Sequence, residues 1–113
     1  MRVYFDNAAT TPISAEVIDL MTEIMKSDYA NPSSVHHGGR KSKIIIENAR
    51  KSVASFLNTS PGNIFFTSGG TEADNMAIRC GILDNNISHA VTSLISYHAV
   101  LHPLENLEKS GVI

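Results

Sequence analysis

Two adjacent glycines followed by a threonine form the segment of this chain with the clearest chemistry. The segment, Ser68-Gly69-Gly70-Thr71, lies shortly after the apolar run Ile64-Phe65-Phe66. Glycines let a backbone turn tightly and approach a ligand closely. A helix that begins at such a turn presents unpaired N–H groups and the positive end of its dipole. The spacing is therefore typical of a site for the phosphate group of a ligand.

A second interpretation of the same loop involves no ligand. The loop matches neither G-x-G-x-x-G nor the P-loop, because no lysine follows its glycines. It could be a plain strand-to-helix turn in which Thr71 and Asp74 form a capping box. The loop by itself supports the two interpretations equally.

Composition excludes several classes of protein. The chain has 113 residues, a formal charge of −2 and 42% apolar residues, which indicates a globular domain that binds neither nucleic acid nor a membrane. Cys80 is the only cysteine, so no disulfide framework forms within the chain and a cytoplasmic setting is expected. Cys80 falls in a helical pattern and is predicted to be a small buried residue. No histidine pair has the flanking ligands of a zinc site, so no metal is predicted.

Apolar periodicity predicts the elements that position this loop. Helices are expected over about residues 14–26, 40–57, 71–83 and 98–109, and strands over 63–67 and 89–93. The apolar residues of the second helix, Phe56 among them, are expected to mark its buried side. Residues 1–5 suit a strand or an extended arm, and residues 112–113 suit the start of another strand. Two polar loops, residues 6–12 and 28–39, separate the first elements. Long irregular loops in compact domains are often functional.

The order of elements from residue 63 onward predicts an α/β fold. Strand, helix, strand, helix and the start of a strand follow one another, which favours parallel strands. Two strands and the start of a third cannot form a sheet that is covered on both faces. We therefore expect the chain to be the N-terminal part of a larger protein.

Four segments taken together carry a family resemblance. They are Tyr4-Phe5-Asp6-Asn7-Ala8-Ala9-Thr10-Thr11-Pro12, Asn31-Pro32-Ser33-Ser34-Val35-His36, Phe66-Thr67-Ser68-Gly69-Gly70-Thr71-Glu72-Ala73-Asp74-Asn75 and His98-Ala99-Val100-Leu101-His102. Their order and spacing resemble the N-terminal portion of the cysteine desulfurases, which are class V, fold-type I enzymes that depend on pyridoxal 5'-phosphate (PLP). The resemblance implies a three-layer α/β/α fold with a mainly parallel sheet. It also implies an N-terminal arm and substrate-side loop over residues 1–13 and an incomplete large PLP-binding domain over residues 14–113.

The resemblance implies an activity and partners as well. Such enzymes convert L-cysteine to L-alanine and leave a persulfide on a catalytic cysteine, for iron–sulfur cluster or thio-cofactor assembly. They are homodimers that pass sulfur to an acceptor such as an iron–sulfur scaffold protein. Alternative hypotheses are a selenocysteine lyase, another class V aminotransferase, or a non-catalytic fragment that pairs with a full-length subunit. A nucleotide-binding module is disfavoured, because no acidic residue follows a second strand to hold a ribose.

The resemblance also assigns roles to particular residues. Gly70 and Thr71 would hold the PLP phosphate. The substrate-side loops would contribute Asn7, Ala8, Thr10, Asn31 and His36.

One position departs from the family pattern. A histidine that stacks on the PLP ring and helps proton transfer usually stands where this chain has Tyr97, one residue before His98. Tyrosine can stack as well as histidine does, but it is a poor acid or base near neutral pH. Either Tyr97 stacks and the proton transfer moves elsewhere, or His98 takes the catalytic role.

The resemblance further implies that essential groups lie beyond residue 113. These are the lysine that binds PLP, the carboxylate that pairs with the pyridine nitrogen, and the catalytic cysteine. None of the lysines of this chain matches the family's context for the PLP-binding lysine. The 113-residue chain alone is therefore expected not to desulfurate cysteine.

Overall fold

The computed structural model describes all 113 residues and contains four α-helices, one short 3-10 helix and no β-strand. The α-helices are α1 (Ala15–Ser27), α2 (His37–Phe56), α3 (Gly70–Asp84) and α4 (His98–Lys109), and the 3-10 helix is Pro61–Asn63. The chain divides into two compact units, Met1–Ile64 and Phe65–Ile113. The predicted division after residue 13 stays a prediction. None of the four helices combines the length and the apolar content needed to cross a membrane.

The first helix forms where the sequence predicts it, but its apolar face is not covered. Helix α1 contains no buried residue. Leu20 is 57% exposed and Met25 is 64% exposed. The 3.6-residue period of apolar residues therefore predicts this helix correctly, while nothing in the first unit packs over its apolar side.

Helix α2 begins three residues earlier than predicted because a histidine caps it. Nδ1 of His36 accepts a hydrogen bond from the N–H of Gly39 at 3.3 Å. The helix ends at Phe56, and Asn58 then adopts a left-handed backbone with φ of 51°. The N–H of Thr59 donates to the carbonyl of Ala54 at 2.9 Å, which completes a Schellman motif.

Several contacts fix the loop between α1 and α2 against the first turns of α2. The ammonium of Lys41 lies 2.6 Å from the carboxylate of Asp28. The hydroxyl of the buried Ser42 donates to the carbonyl of Asp28 at 2.8 Å. A Cβ on the buried Gly39 would lie 2.7 Å from the carbonyl oxygen of Asn31. The loop over residues 28–36 is thus a packed and hydrogen-bonded segment.

Helices α3 and α4 pack against each other and form the core of the second unit. Four of its side chains are buried, namely Ile82, Ala99, Pro103 and Leu107. Helix α4 has the predicted bounds. It ends at Lys109, Gly111 follows with a φ of 72° that suits glycine, and the N–H of Val112 donates to the carbonyl of Leu107 at 3.0 Å.

The predicted strands do not form ladders in residues 1–113. Residues 63–67 lack a neighbouring strand, and Ile64 bonds to other residues of the first unit. The N–H of Ile64 donates to the carbonyl of Pro61 at 3.2 Å, and the carbonyl of Ile64 accepts from the guanidinium of Arg50. A strand has no hydrogen bonds of its own without a partner. The three-layer fold and its sheet remain predictions.

The burial expected of some helical residues is wrong. Phe56 was expected on the buried side of α2 and is 90% exposed. Cys80 was expected to be buried and is exposed. Periodicity identifies which side of a helix is apolar, but it does not show whether anything covers that side.

Candidate functional site

Helix α3 begins at the two glycines that the sequence singles out. Gly69 is the N-cap and Gly70 is the first helical residue. No atom of the chain accepts a hydrogen bond from the N–H groups of Gly70, Thr71 and Glu72, which belong to the unpaired first turn. A Cβ placed on Gly69 or Gly70 would meet nothing within 4 Å. The chain's own packing therefore leaves open space in front of these donors.

The start of this helix has no capping box. The predicted box between Thr71 and Asp74 is wrong, because the N-cap is Gly69, two residues before Thr71. Instead Oε2 of Glu72 accepts from the N–H of Ser68 at 2.7 Å and from its hydroxyl at 2.6 Å. Hydrogen bonds from the Ser68 hydroxyl and from the Ser68 N–H hold the pKa of Glu72 below its ordinary value.

Residues 67–72, here called the phosphate loop, suit a phosphate group. Its residues Ser68 to Thr71 are exposed. The loop offers unpaired backbone donors, a threonine hydroxyl and the positive end of α3, which together attract anions. No group of three or more His, Cys, Asp and Glu side chains is placed to hold a metal ion. The loop can thus hold the phosphate of a cofactor through its own backbone and hydroxyl donors.

Two ring-bearing residues stand at the start of α4, in the same unit as the phosphate loop. Tyr97 is the N-cap and is 71% exposed, and His98 is the first helical residue and is also exposed. Their ring centroids lie 6.4 Å apart with an interplanar angle of 47°. The rings of His98 and His102 lie 5.1 Å apart. Both rings of the Tyr97–His98 pair are accessible for stacking or proton transfer.

The substrate-side residues of the N-terminal loop lie in an exposed turn of the first unit. The N–H groups of Ala9 and Thr10 donate to the carbonyl of Asp6 at 3.1 and 3.3 Å. The side chains of Asn7 and Thr10 are exposed. This turn is local in its bonding and leaves those polar side chains free to meet a ligand.

Asn31 and His36 stabilise a turn and a helix start, which are roles not predicted from the sequence. Oδ1 of Asn31 accepts from the N–H of Ser33 at 2.9 Å, which forms an Asx turn. His36 caps α2 through Nδ1. The asparagine-proline pair and the following glycines signal a turn before a helix, and this signal could have suggested both roles.

Nearly the whole sequence of this chain matches one known family. The family described as aminotransferase class-V matches residues 3–113, and the chain belongs to it.

Curated relatives include several proteins named cysteine desulfurase. One from Dictyoglomus turgidum is 46% identical over 97% of this chain and 28% of its own length, and one from Methanosarcina thermophila is 46% identical over 96% of this chain. A selenocysteine lyase from Bos taurus is 35% identical over 98% of this chain. The chain thus spans less than a third of the length of these relatives.

A solved structure described as a NifS-like protein has the same fold over this region. It is 36% identical and superposes with a TM-score of 0.87, covering 98% of this chain and 31% of that chain. The family resemblance in the sequence analysis is confirmed by these similarities.

Proposed function

We propose that this chain is the N-terminal part of a PLP-dependent cysteine desulfurase. The reaction converts L-cysteine to L-alanine and an enzyme-bound persulfide, which serves iron–sulfur cluster or thio-cofactor assembly. The observation that carries the proposal is the 46% identity, over nearly the whole chain, to relatives named cysteine desulfurase. The open, donor-lined start of α3 provides the chemistry that a phosphorylated cofactor requires.

In this proposal the phosphate loop binds the cofactor through its phosphate. The N–H groups of Gly70 and Thr71 donate to the phosphate oxygens, and the Thr71 hydroxyl adds a third donor. Hydrogen bonds to a charged group contribute about 1.5–3 kcal/mol each. Bound PLP supplies an electron sink for chemistry at the substrate's α carbon. The loop's part is to anchor the cofactor so that its ring is held in one orientation.

Tyr97 and His98 divide the two tasks that one histidine performs in the family pattern. Tyr97 would stack its ring on the cofactor, because a phenol ring offers the same flat apolar face as an imidazole. His98 would hold or accept the proton, since histidine is the side chain that most often serves as a general acid or base. Both side chains are exposed at the start of α4 and can take these roles without rearranging the core.

The remaining roles rest on the resemblance. Asn7, Ala8, Thr10, Asn31 and His36 contribute to the loops that face the substrate. Residues 1–13 serve as an arm, and residues 14–113 belong to the large PLP-binding domain, which has a three-layer α/β/α fold. The complete protein is a cytoplasmic homodimer that passes sulfur to an acceptor such as an iron–sulfur scaffold protein.

A steady-state assay tests the proposal on the protein expressed from its complete gene. With PLP and a thiol reductant, the protein should release alanine and sulfide from L-cysteine in equal amounts. Thr71→Val should lower the affinity for PLP by about tenfold, because one hydrogen bond to a charged phosphate is lost. Absence of alanine release by PLP-loaded protein would refute the proposed activity.

A selenocysteine lyase is the second candidate. The observation that favours it is the 35% identity to the lyase from Bos taurus over 98% of this chain. The discriminating quantity is the ratio of kcat/KM for L-selenocysteine to kcat/KM for L-cysteine. Turnover of L-cysteine would support the desulfurase, whereas turnover of L-selenocysteine without turnover of L-cysteine would support the lyase.

A further inference from the structure

We infer that Glu72 is a positioning residue of the phosphate loop. Its carboxylate binds both donors of Ser68, while the N–H groups of Gly70 and Thr71 stay free for a phosphate. The inference rests on the proposed function, since it assigns a role in binding the same phosphate. It adds a residue that does not itself contact the ligand but decides which donors the ligand meets.

Glu72 binds both hydrogen-bond donors of Ser68. A single carboxylate oxygen of Glu72 accepts both the N–H of Ser68 at 2.7 Å and its hydroxyl at 2.6 Å. Such short, charge-assisted hydrogen bonds are stronger than neutral ones. Both donors of Ser68 are therefore occupied, and a phosphate would find its donors two and three residues further along, at Gly70 and Thr71.

Two other side chains of this region bind backbone carbonyl oxygens. The hydroxyl of Thr67 donates to the carbonyl of Gly69 at 3.2 Å, and Nδ2 of Asn75 donates to the carbonyl of Thr71 at 2.9 Å. These bonds occupy carbonyl oxygens, which would repel a phosphate, and they leave the N–H groups of Gly70 and Thr71 unoccupied. The loop is thereby held with its donors available.

The phosphate loop is exposed over most of its length. The residues from Ser68 to Glu72 are all exposed, so packing does little to fix their backbone. Ordering a flexible loop on binding opposes affinity, and bonds that order it beforehand remove part of that cost. The Ser68–Glu72 bonds close the loop onto the first turn of α3. Removing the Glu72 carboxylate should therefore weaken phosphate binding without removing any phosphate ligand.

The experiment compares the affinities of PLP and of pyridoxal, which lacks the phosphate, for the protein expressed from its complete gene. The variants are Glu72→Ala, Glu72→Gln and the control Glu16→Ala. Glu16 is likewise an exposed carboxylate in the first turn of a helix, with its pKa lowered by a hydrogen bond to its own backbone and another to Ser14. Absorbance titration gives both dissociation constants, and circular dichroism checks the fold of each variant.

The expected result is a loss of phosphate preference in one variant alone. Glu72→Ala should lower the preference for PLP over pyridoxal by about fivefold, because the loop must be ordered on binding. Glu72→Gln should stay within about twofold of the wild type, since its amide oxygen still accepts from Ser68. Glu16→Ala should leave the preference unchanged. If Glu72→Ala does not fold, Ser68→Ala, which removes one of the two bonds, should show about a twofold loss.

Two results would overturn the inference, and they differ from failure of the proposed function. An unchanged preference in folded Glu72→Ala would mean that Ser68 needs no carboxylate. Equal losses in the Ala and Gln variants would show that charge matters and hydrogen bonding does not. If the wild type itself shows no preference for PLP over pyridoxal, the phosphate loop is misassigned and the proposed function fails with it.

Discussion

The backbone of Gly39 lies against the carbonyl oxygen of Ser34 so closely that no Cβ atom fits between them. The carbonyl oxygen of Asn31 approaches the same point, at 2.7 Å from an ideal Cβ. Gly39 is buried in the first turn of α2. This close approach seats the loop of residues 28–36 on the helix, so a glycine is required there for packing and not for an unusual backbone angle.

Gly39→Ala should therefore destabilise the protein by about 2 kcal/mol, because the methyl group displaces backbone atoms that cannot move cheaply. Gly81→Ala is the matched control, since Gly81 lies inside α3 and a Cβ there meets nothing within 4 Å. That change should stabilise the protein by about 0.5–1 kcal/mol through helix propensity. Urea unfolding followed by circular dichroism measures both, and equal effects would contradict the packing described here.

The ion pair between Lys41 and Asp28 should contribute more than an ordinary surface pair. The atoms are 2.6 Å apart, and only 10% of the Asp28 side chain is exposed. Asp28→Ala should lower the free energy of unfolding by about 1 kcal/mol, at the upper end for such pairs. Glu105→Ala, which breaks the exposed 4.0 Å pair with Lys109, should change it by only about 0.3 kcal/mol. A larger effect at Glu105 would rule out this ranking.

The lowered pKa of Glu72 predicts how α3 responds to acid. Its folded-state pKa lies below the ordinary value of 4.5, owing to the hydrogen bonds from Ser68. The carboxylate therefore adds stability that is fully present above pH 4.5 and is lost as the pH falls through the lower folded-state pKa.

The free energy of unfolding, measured as a function of pH, should show a smaller acid-induced loss in Glu72→Gln than in the wild type. Ser68→Ala should also flatten the profile, because it removes the hydroxyl hydrogen bond that does most to lower the pKa of Glu72. Profiles that superimpose for all three proteins would show that this carboxylate is not coupled to folding.

Tyr97 and His98 should separate in their kinetic effects if they divide stacking and proton transfer. His98→Gln should lower kcat by about 100-fold, as expected for loss of a general acid or base. Tyr97→Phe keeps the ring and should change kcat by less than about threefold. Kinetics on the PLP-loaded protein, with L-cysteine as substrate, measure both. A large loss in Tyr97→Phe together with a small loss in His98→Gln would assign the proton to the phenol instead.

Local signals in the sequence predicted the helices well. The bounds of α4 are as expected, because apolar residues recur along it and Gly111 follows its last turn. Helix α2 begins three residues before the predicted start. Gly38 and Gly39 favour a loop in the sequence, whereas the cap by His36 is visible only in the structure. A side-chain cap can override the low helix propensity of glycine.

Longer-range features were harder to predict from the sequence. The apolar residues of α1 and α2 were expected to be covered, yet Phe56 is almost fully exposed. Burial depends on partners that lie far away along the chain, which periodicity does not identify. The turn at Gly69 and Gly70 and the helix start behind it were predicted correctly, whereas residues 63–67 form no strand. The carboxylate that bonds at this helix start belongs to Glu72 and not to Asp74, because the N-cap is Gly69, and the position of an N-cap can be read from a sequence only to within a few residues.

The most direct measurement of the central claim is a single turnover of the protein expressed from its complete gene. The protein is loaded with PLP, freed of excess cofactor and mixed with L-cysteine in the absence of reductant. We expect one alanine and one protein-bound persulfide for each bound PLP, and we expect about tenfold less cofactor loading in Thr71→Val at limiting PLP. A protein that binds PLP and forms neither alanine nor persulfide would contradict the assignment as a cysteine desulfurase.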